Sequence, residues 1–288
     1  MPNPRLGAMA SLLADGRLHL QHGPIDLLIS VDADETTKNA AFDRAKQCFV
    51  NVLEGLAQEL TLLRRPSSAL TKNEVQGPVG QRMVLAVAKF SSRFVTPMAS
   101  VAGAVADAVL AAIIQSKLGL RRASINNGGD IALYLAPGES YAIGACNDLQ
   151  HGEVAASFTL TSADRVTGVA TSGWRGRSHS LGIADAVTVL ASGAAEADVA
   201  ATLIANAVNL PLQEKVGRTL AQELVPDTDL KGMYVTTSVA GLSSAEVSDA
   251  LRNGVVVAQQ MIDQGLIISV LLSLQQSVRV VGKDYRRL

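Results

Sequence analysis

The 288-residue chain is long enough for one large domain or two small ones. Hydrophobic residues make up 48% and charged residues 18%, which excludes a disordered chain and allows an extensive core. With a formal net charge of −1 and only 3% aromatics, it has neither the basic stripe nor the stacking rings of a nucleic-acid binder.

The first twenty residues lack a basic start followed by an unbroken apolar run. Residues 99–114 form the longest apolar helical stretch, and Ser100, Gly103 and Asp107 interrupt it, so it does not read as a membrane span. The expectation is a soluble cytoplasmic protein with no membrane contact. Cys48 and Cys146 lie far apart, without His or Cys at ligand spacing, and read as reduced core residues.

Residues 27–31 read as a strand. Apolar residues at helical spacing (Ala41, Ala45, Phe49, Val52, Leu53, Leu56, Leu60) predict one long amphipathic helix over 37–63, ended by Pro66. Residues 77–80 read as a turn and 83–88 as a strand. A second helix, rich in Ala and Gly, is predicted over 98–118, with Gly119 as its cap. Strands are predicted at 122–126, 131–135, 141–146, 158–160, 168–171 and 184–190. Helices are predicted at 194–208 and 245–263. A hairpin across Gln275-Gln276 closes the chain. Clusters of strands and helices, rather than strict alternation, predict an α+β fold. Two long helices in each half hint at a duplicated unit, although no sequence repeat is evident.

Four segments carry candidate chemistry. Asn126-Asn127-Gly128-Gly129-Asp130 lies between two strands, where glycines tolerate positive φ and bring backbone N–H groups close to a ligand. A plain hairpin turn is the competing reading. Thr171-Ser172-Gly173 ends an apolar strand and offers hydroxyls and N–H groups to a phosphate or a flavin edge, or makes an ordinary Ser/Thr turn. In the polar stretch that follows, Arg175 and Arg177 either pair with a diphosphate or belong to a solvated loop. His179 stands among other candidate groups, whereas His19, His22 and His151 read as surface-loop residues. Asp198 and Thr202 are four apart on a predicted helix, so they share a face and could offer hard oxygens to Mg²⁺ beside a phosphate. Asp185 in its apolar strand and Asp107 in its Ala-rich helix each need a partner or a ligand. No serine-hydrolase elbow, Walker loop, paired-cysteine zinc site or dinucleotide glycine motif is present.

In chain order, these segments resemble the ApbE superfamily, the FAD:protein FMN transferases. Gly103-Ala104-Val105-Ala106-Asp107 is similar to that family's Lys-Gly-x-x-x-Asp helix. Asn127-Gly128-Gly129-Asp130-Ile131 is similar to its Gly-Gly-Asp loop, and Ala170-Thr171-Ser172-Gly173 to its Ala-Thr-Ser-Gly strand end. Val187-Thr188-Val189 and Ala197-Asp198-Val199-Ala200-Ala201-Thr202 are similar to its Val-Thr-Val strand and metal helix. The resemblance implies an α+β fold of duplicated T-fold-like units: antiparallel sheets with long helices packed on one face. It implies a single domain over residues 1–288, with two similar halves and its motif core at 98–209.

It also implies FAD as ligand and Mg²⁺ between protein and diphosphate, held by Asp198 and Thr202. Asp107, Asn127, Gly128, Gly129, Asp130, Thr171, Ser172 and Gly173 would line the flavin nucleotide. His179 would be the base for a protein acceptor's hydroxyl, with Asp185 as its orienting partner or a second metal-site carboxylate. The implied reaction moves FMN from FAD to a Thr or Ser of an acceptor protein, or splits FAD's diphosphate. Two departures stand out. Ala102 occupies the family's lysine position, and residues 178–185 replace its His-Ile-x-Asp-Pro-x-x-Gly loop. These departures resemble a soluble, uncharacterised branch of the superfamily. A non-catalytic flavin or nucleotide binder, and an enzyme acting on another small heterocycle, are the alternatives. A homo-oligomer stays open.

Overall fold

The computed structural model describes residues 7–90, 92–115, 119–148, 153–211 and 214–283; the side chains of residues 145–148 and 153–156 lie outside that description. In chain order, β1 (Met9–Leu12), β2 (Leu18–His22) and β3 (Ile25–Asp32) precede α1 (Glu35–Phe49), α2 (Val52–Gln58), α3 (Leu60–Leu63), α4 (Pro78–Ala88) and α5 (Val101–Ile113). Next come β4 (Arg122–Asn127), β5 (Asp130–Leu135), β6 (Ser140–Asp148), β7 (Glu153–Thr161), β8 (Gly168–Ser172), β9 (Ala186–Ala191) and α6 (Ala194–Ala207). The chain ends with β10 (Val216–Leu220), α7 (Ala221–Leu224), β11 (Tyr234–Val239), α8 (Ser244–Asp263), β12 (Ser269–Leu274) and β13 (Ser277–Gly282). The fold is mixed, with antiparallel sheet and packed helices, as the clustering of elements predicts.

Two compact units share the chain. The first comprises Met1–Tyr141, Leu160–Ala170 and Ala191–Asp198; the second comprises Ala142–Thr159, Thr171–Leu190 and Val199–Leu288.

In the first unit, β1 to β5 pair antiparallel in chain order, and the start of β8 adds beside β5. Strict alternation builds its core. Leu18, Leu20 and His22 of β2, Ile25, Leu27, Ile29 and Val31 of β3, and Ala123 and Ile125 of β4 are buried, with more exposed residues between them. α1 packs on β2, β3 and α5, and α5 packs on β4 and β5. Asp34 caps α1 by accepting from Thr37 N at 2.9 Å.

In the second unit, β9, β12 and β13 pair antiparallel. Every residue of β9 and of β12 is buried, giving apolar runs rather than alternation. α8, started by a Ser243–Glu246 capping box, packs on β12 and β13. The turn between β12 and β13 puts Gln275 and Gln276 at φ 43° and 68°. Side-chain bonds hold Gln275 there: its Oε1 accepts from Leu242 N, and its Nε2 donates to Ala240 O at 2.7 Å.

Several expectations are corrected. The helix predicted over 37–63 is three helices, interrupted at Asn51 and Glu59, where φ is −108° and −105°. Residues 83–88 are not a strand but the end of α4, which starts at Pro78. Residues 97–100 form a 3₁₀ turn ahead of α5. The strand predicted from 184 begins at Ala186, so Asp185 precedes it. His19 and His22 are on strand β2, and His22 is buried; His151 lies outside the described residues. Cys48 is a free, half-buried thiol.

Candidate functional site

In the first unit, the site grows from the crossing of α5 and α6. The two helices approach so closely that a Cβ on Gly103 would fall 2.3 Å from the Ala194 carbonyl oxygen. Each helix lends the other a carboxylate. Asp107, in the second turn of α5, accepts from Ala194 N at 3.0 Å and Ala195 N at 2.9 Å, the first two N–H groups of α6. Asp198 of α6 accepts from Gly103 N at 3.1 Å, and also from Ala102 N, in the first turn of α5. These are reciprocal caps, which satisfy orphan donors and set negative charge against both positive helix ends.

The caps do not fully compensate the burial. Desolvation holds the Asp198 carboxyl well above the ordinary aspartate range, with the neighbouring Asp130 and Asp107 adding to the rise. Asp107 is also raised, mainly by burial, with Glu196 adding to it and its two backbone bonds opposing. Lys89 pairs with Glu196 at 2.7 Å at the rim.

The Gly-Gly turn joins the same group. Asn126 Oδ1 accepts from Gly129 N at 2.8 Å, and Asn127 Nδ2 donates to Ala102 O at 3.0 Å. Gly128 and Gly129 have φ of 66° and 113°, and a Cβ on Gly129 would meet no atom within 4 Å. The backbone there is therefore open to an approaching group. Asp107, Asn127, Gly128, Gly129, Asp130 and Asp198 thus belong to one neighbourhood. Spacing marked Asp198 as a metal ligand and did not reveal its capping role, which needs the helix crossing to be known.

In the second unit, Thr171 and Thr188 hydroxyls bond at 2.9 Å across β8 and β9. Gly173 is packed so tightly that an added Cβ would lie 2.3 Å from the Asp185 carbonyl oxygen. Ser172 is half-buried. Buried Asp185 accepts from Trp174 Nε1 at 3.1 Å, Arg175 Nε at 3.0 Å and Gln275 N at 2.6 Å. Arg175 also stacks over the Trp174 ring at 4.8 Å. The expected pairing of His179 with Asp185 is not formed; the carboxylate accepts from these three donors instead. Arg175 is likewise held by Asp185, while Arg177 is exposed. Thr202 is half-buried, one turn beyond Asp198 on α6.

Sequence reasoning missed the clamp on the loop before β9. Arg218 Nη1 donates to Leu181 O, and its Nη2 to Asn209 Oδ1, both at 2.7 Å; Asn206 Oδ1 accepts from Leu181 N at 2.8 Å.

Among the described residues, no helix is long and apolar enough to cross a membrane. No group of three or more His, Cys, Asp or Glu among them could by itself hold a metal ion.

Residues 10–280 match the family model AbpE_bact, AbpE bacteria, and the chain belongs to that family. It is 40% identical to the UPF0280 protein of Methanocaldococcus jannaschii over 114 residues, covering 39% of this chain and 45% of that one. It is 38% identical to the UPF0280 protein of Methanothermobacter thermautotrophicus over 153 residues, covering 52% and 57%. The chain thus spans about half the length of these relatives. Among solved structures, the ApbE protein of Thermotoga maritima aligns with TM-score 0.44 and 13% identity, covering 94% of this chain and 96% of that one. The apo flavinyl transferase ApbE of Pseudomonas stutzeri aligns with TM-score 0.37 and 12% identity, covering 96% and 95%.

Proposed function

We propose that this member of the AbpE family binds FAD with Mg²⁺ and transfers FMN to a Thr or Ser hydroxyl of an acceptor protein, or cleaves the FAD diphosphate. The observation that carries the reading is the desolvated Asp198 carboxylate, set beside Asp130 and Asp107 at the crossing of two helix N-termini. Like charges enclosed together are costly unless a cation joins them.

The donor set fits Mg²⁺, which takes hard oxygens and commonly binds through one or two carboxylates plus substrate phosphates. Asp198 and Thr202 would hold the ion, with Asp130 beside Asp198. When bound, Mg²⁺ would neutralise charge on the diphosphate as its P–O–P bond breaks.

The chain's own residues would do the rest. The open Gly128-Gly129 backbone would let the nucleotide approach Asn127 and Asp130. The Thr171-Ser172-Gly173 strand end would meet another polar edge of the flavin nucleotide. His179 would take the acceptor hydroxyl's proton as that oxygen bonds to the FMN phosphorus and AMP leaves.

One observation favours a second reading, a flavin-nucleotide binder without transfer chemistry. Asp185 accepts from Trp174, Arg175 and Gln275 and not from His179, so His179 lacks the carboxylate that would orient it. The test is AMP release from FAD with Mg²⁺ and acceptor peptides bearing Ser or Thr. Release that vanishes in Asp198→Ala and falls in His179→Ala supports transfer. FAD binding without AMP release supports the binder.

A further inference from the structure

The first unit contains a cavity of about 340 Å³ that the flavin reading does not use. This is within the range of small-molecule pockets, roughly 300–1,000 Å³. One wall is the alanine face of α5, where Ala108, Ala111 and Ala112 recur at helical spacing and stay half-exposed. Opposite lie Cys48 at the end of α1, Gly55 on α2, and the start of α4. A Cβ built on Gly55 meets no atom within 4 Å, so this part of the wall borders open space.

Two charged residues line the cavity, Glu59 and Arg82. Glu59 is committed to the start of α4, accepting from Gln76 N at 2.6 Å and Gly77 N at 3.1 Å. Arg82, one α4 turn further on, is exposed and forms no hydrogen bond or ion pair among the described residues; its charge acts through space on Asp107 and Cys48. An apolar trough with a guanidinium at its edge whose N–H donors are not used by the chain matches a ligand with an apolar body and an anionic head. A guanidinium suits a carboxylate, which it can bind through two parallel N–H donors.

We propose that this cavity binds a small carboxylate with an apolar tail, the tail lying along the α5 alanine face and the carboxylate pairing with Arg82. Gly103, Asp107 and Asp198 of the α5–α6 crossing do not line the cavity, although Asp107 lies one turn from Ala111 and feels the charge of Arg82.

Titration calorimetry with octanoate tests the assignment on the intact chain, with octan-1-ol as the uncharged control. Octanoate binds saturably and more tightly than the alcohol. Arg82→Gln, at an exposed position, brings octanoate down to the alcohol's affinity, a several-fold loss. Gly55→Leu fills the cavity and abolishes binding; the melting temperature holds or rises, because Leu favours a helix over Gly. FAD with Mg²⁺ leaves octanoate affinity unchanged, so failure of the flavin reading would not touch this one. No heat with octanoate, equal affinity for the alcohol, an unaffected Arg82→Gln, binding retained in a folded Gly55→Leu, or competition with FAD would each overturn the proposal. If Gly55→Leu does not fold, the Arg82→Gln comparison decides.

Discussion

Burial gives Asp198 a pH-dependent cost. Its folded carboxyl holds a proton more tightly than the unfolded chain does, whose aspartate titrates near 3.8. Between that value and the raised folded one, the folded state binds more protons, so stability falls as pH rises through the window and stays lower above it. Asp198→Asn keeps an acceptor for Gly103 N without the charge. In metal-free buffer, urea unfolding across acid to neutral pH should show the variant losing part of this decline, and at pH 7 it should be at least as stable as the parent. A variant with the parent's full pH dependence would contradict the assignment. Asp185 is the opposite case, a buried carboxylate with three hydrogen-bond donors around it. Asp185→Ala would leave Gln275 N and the Trp174 indole N–H without their acceptor, costing about 1–3 kcal/mol. Because Trp174 is the chain's one tryptophan, its emission should shift to longer wavelength in that variant. Unchanged emission and stability would remove Asp185 from its bracing role.

At the scale of elements, the α5–α6 crossing is the most sensitive joint. Gly103→Ala puts a methyl 2.3 Å from the Ala194 carbonyl oxygen and 2.5 Å from its carbon, both backbone atoms that cannot turn aside. The helices must separate, stretching both reciprocal caps. We expect about 1–3 kcal/mol of destabilisation by denaturant unfolding, the usual range for overpacking. A neutral result would show that the helices do not approach this closely. Asp107, Gly103 and Asp198 were each legible in the sequence as motif members. Their mutual capping was not, because it depends on contact between residues about ninety positions apart. The strands flanking Gly128-Gly129 were legible for a simpler reason: β4 alternates polar residues with Ala123 and Ile125, β5 is a short apolar run, and turn residues lie between them. The apolar run at 83–88 misled because periodicity alone does not separate a short strand from a buried helix segment. Pro78 after Gly77 was the better signal, since proline suits the first helical position. The break at Asn51 was hidden because apolar spacing continues across it. The buried–exposed alternation of β2 was present in Leu18-His19-Leu20-Gln21-His22, but His22 takes an inward position that an apolar residue usually marks.

At the scale of the whole molecule, the chain crosses between its two units several times and distributes its motifs between them. Asp107, Asn127, Gly128, Gly129, Asp130 and Asp198 belong to the first unit; Thr171, Ser172, Gly173, His179, Asp185 and Thr202 belong to the second. Family membership over residues 10–280 covers both sets. We propose that the chain holds a flavin nucleotide through a divalent cation at Asp198. Titration calorimetry of the purified protein with FAD, in Mg²⁺ and again in EDTA, tests it most directly. We expect saturable binding in Mg²⁺, marked weakening in EDTA, and the same weakening in Asp198→Ala with Mg²⁺ present. Absence of any heat with FAD in Mg²⁺, or equal affinity in EDTA and in Asp198→Ala, would contradict it.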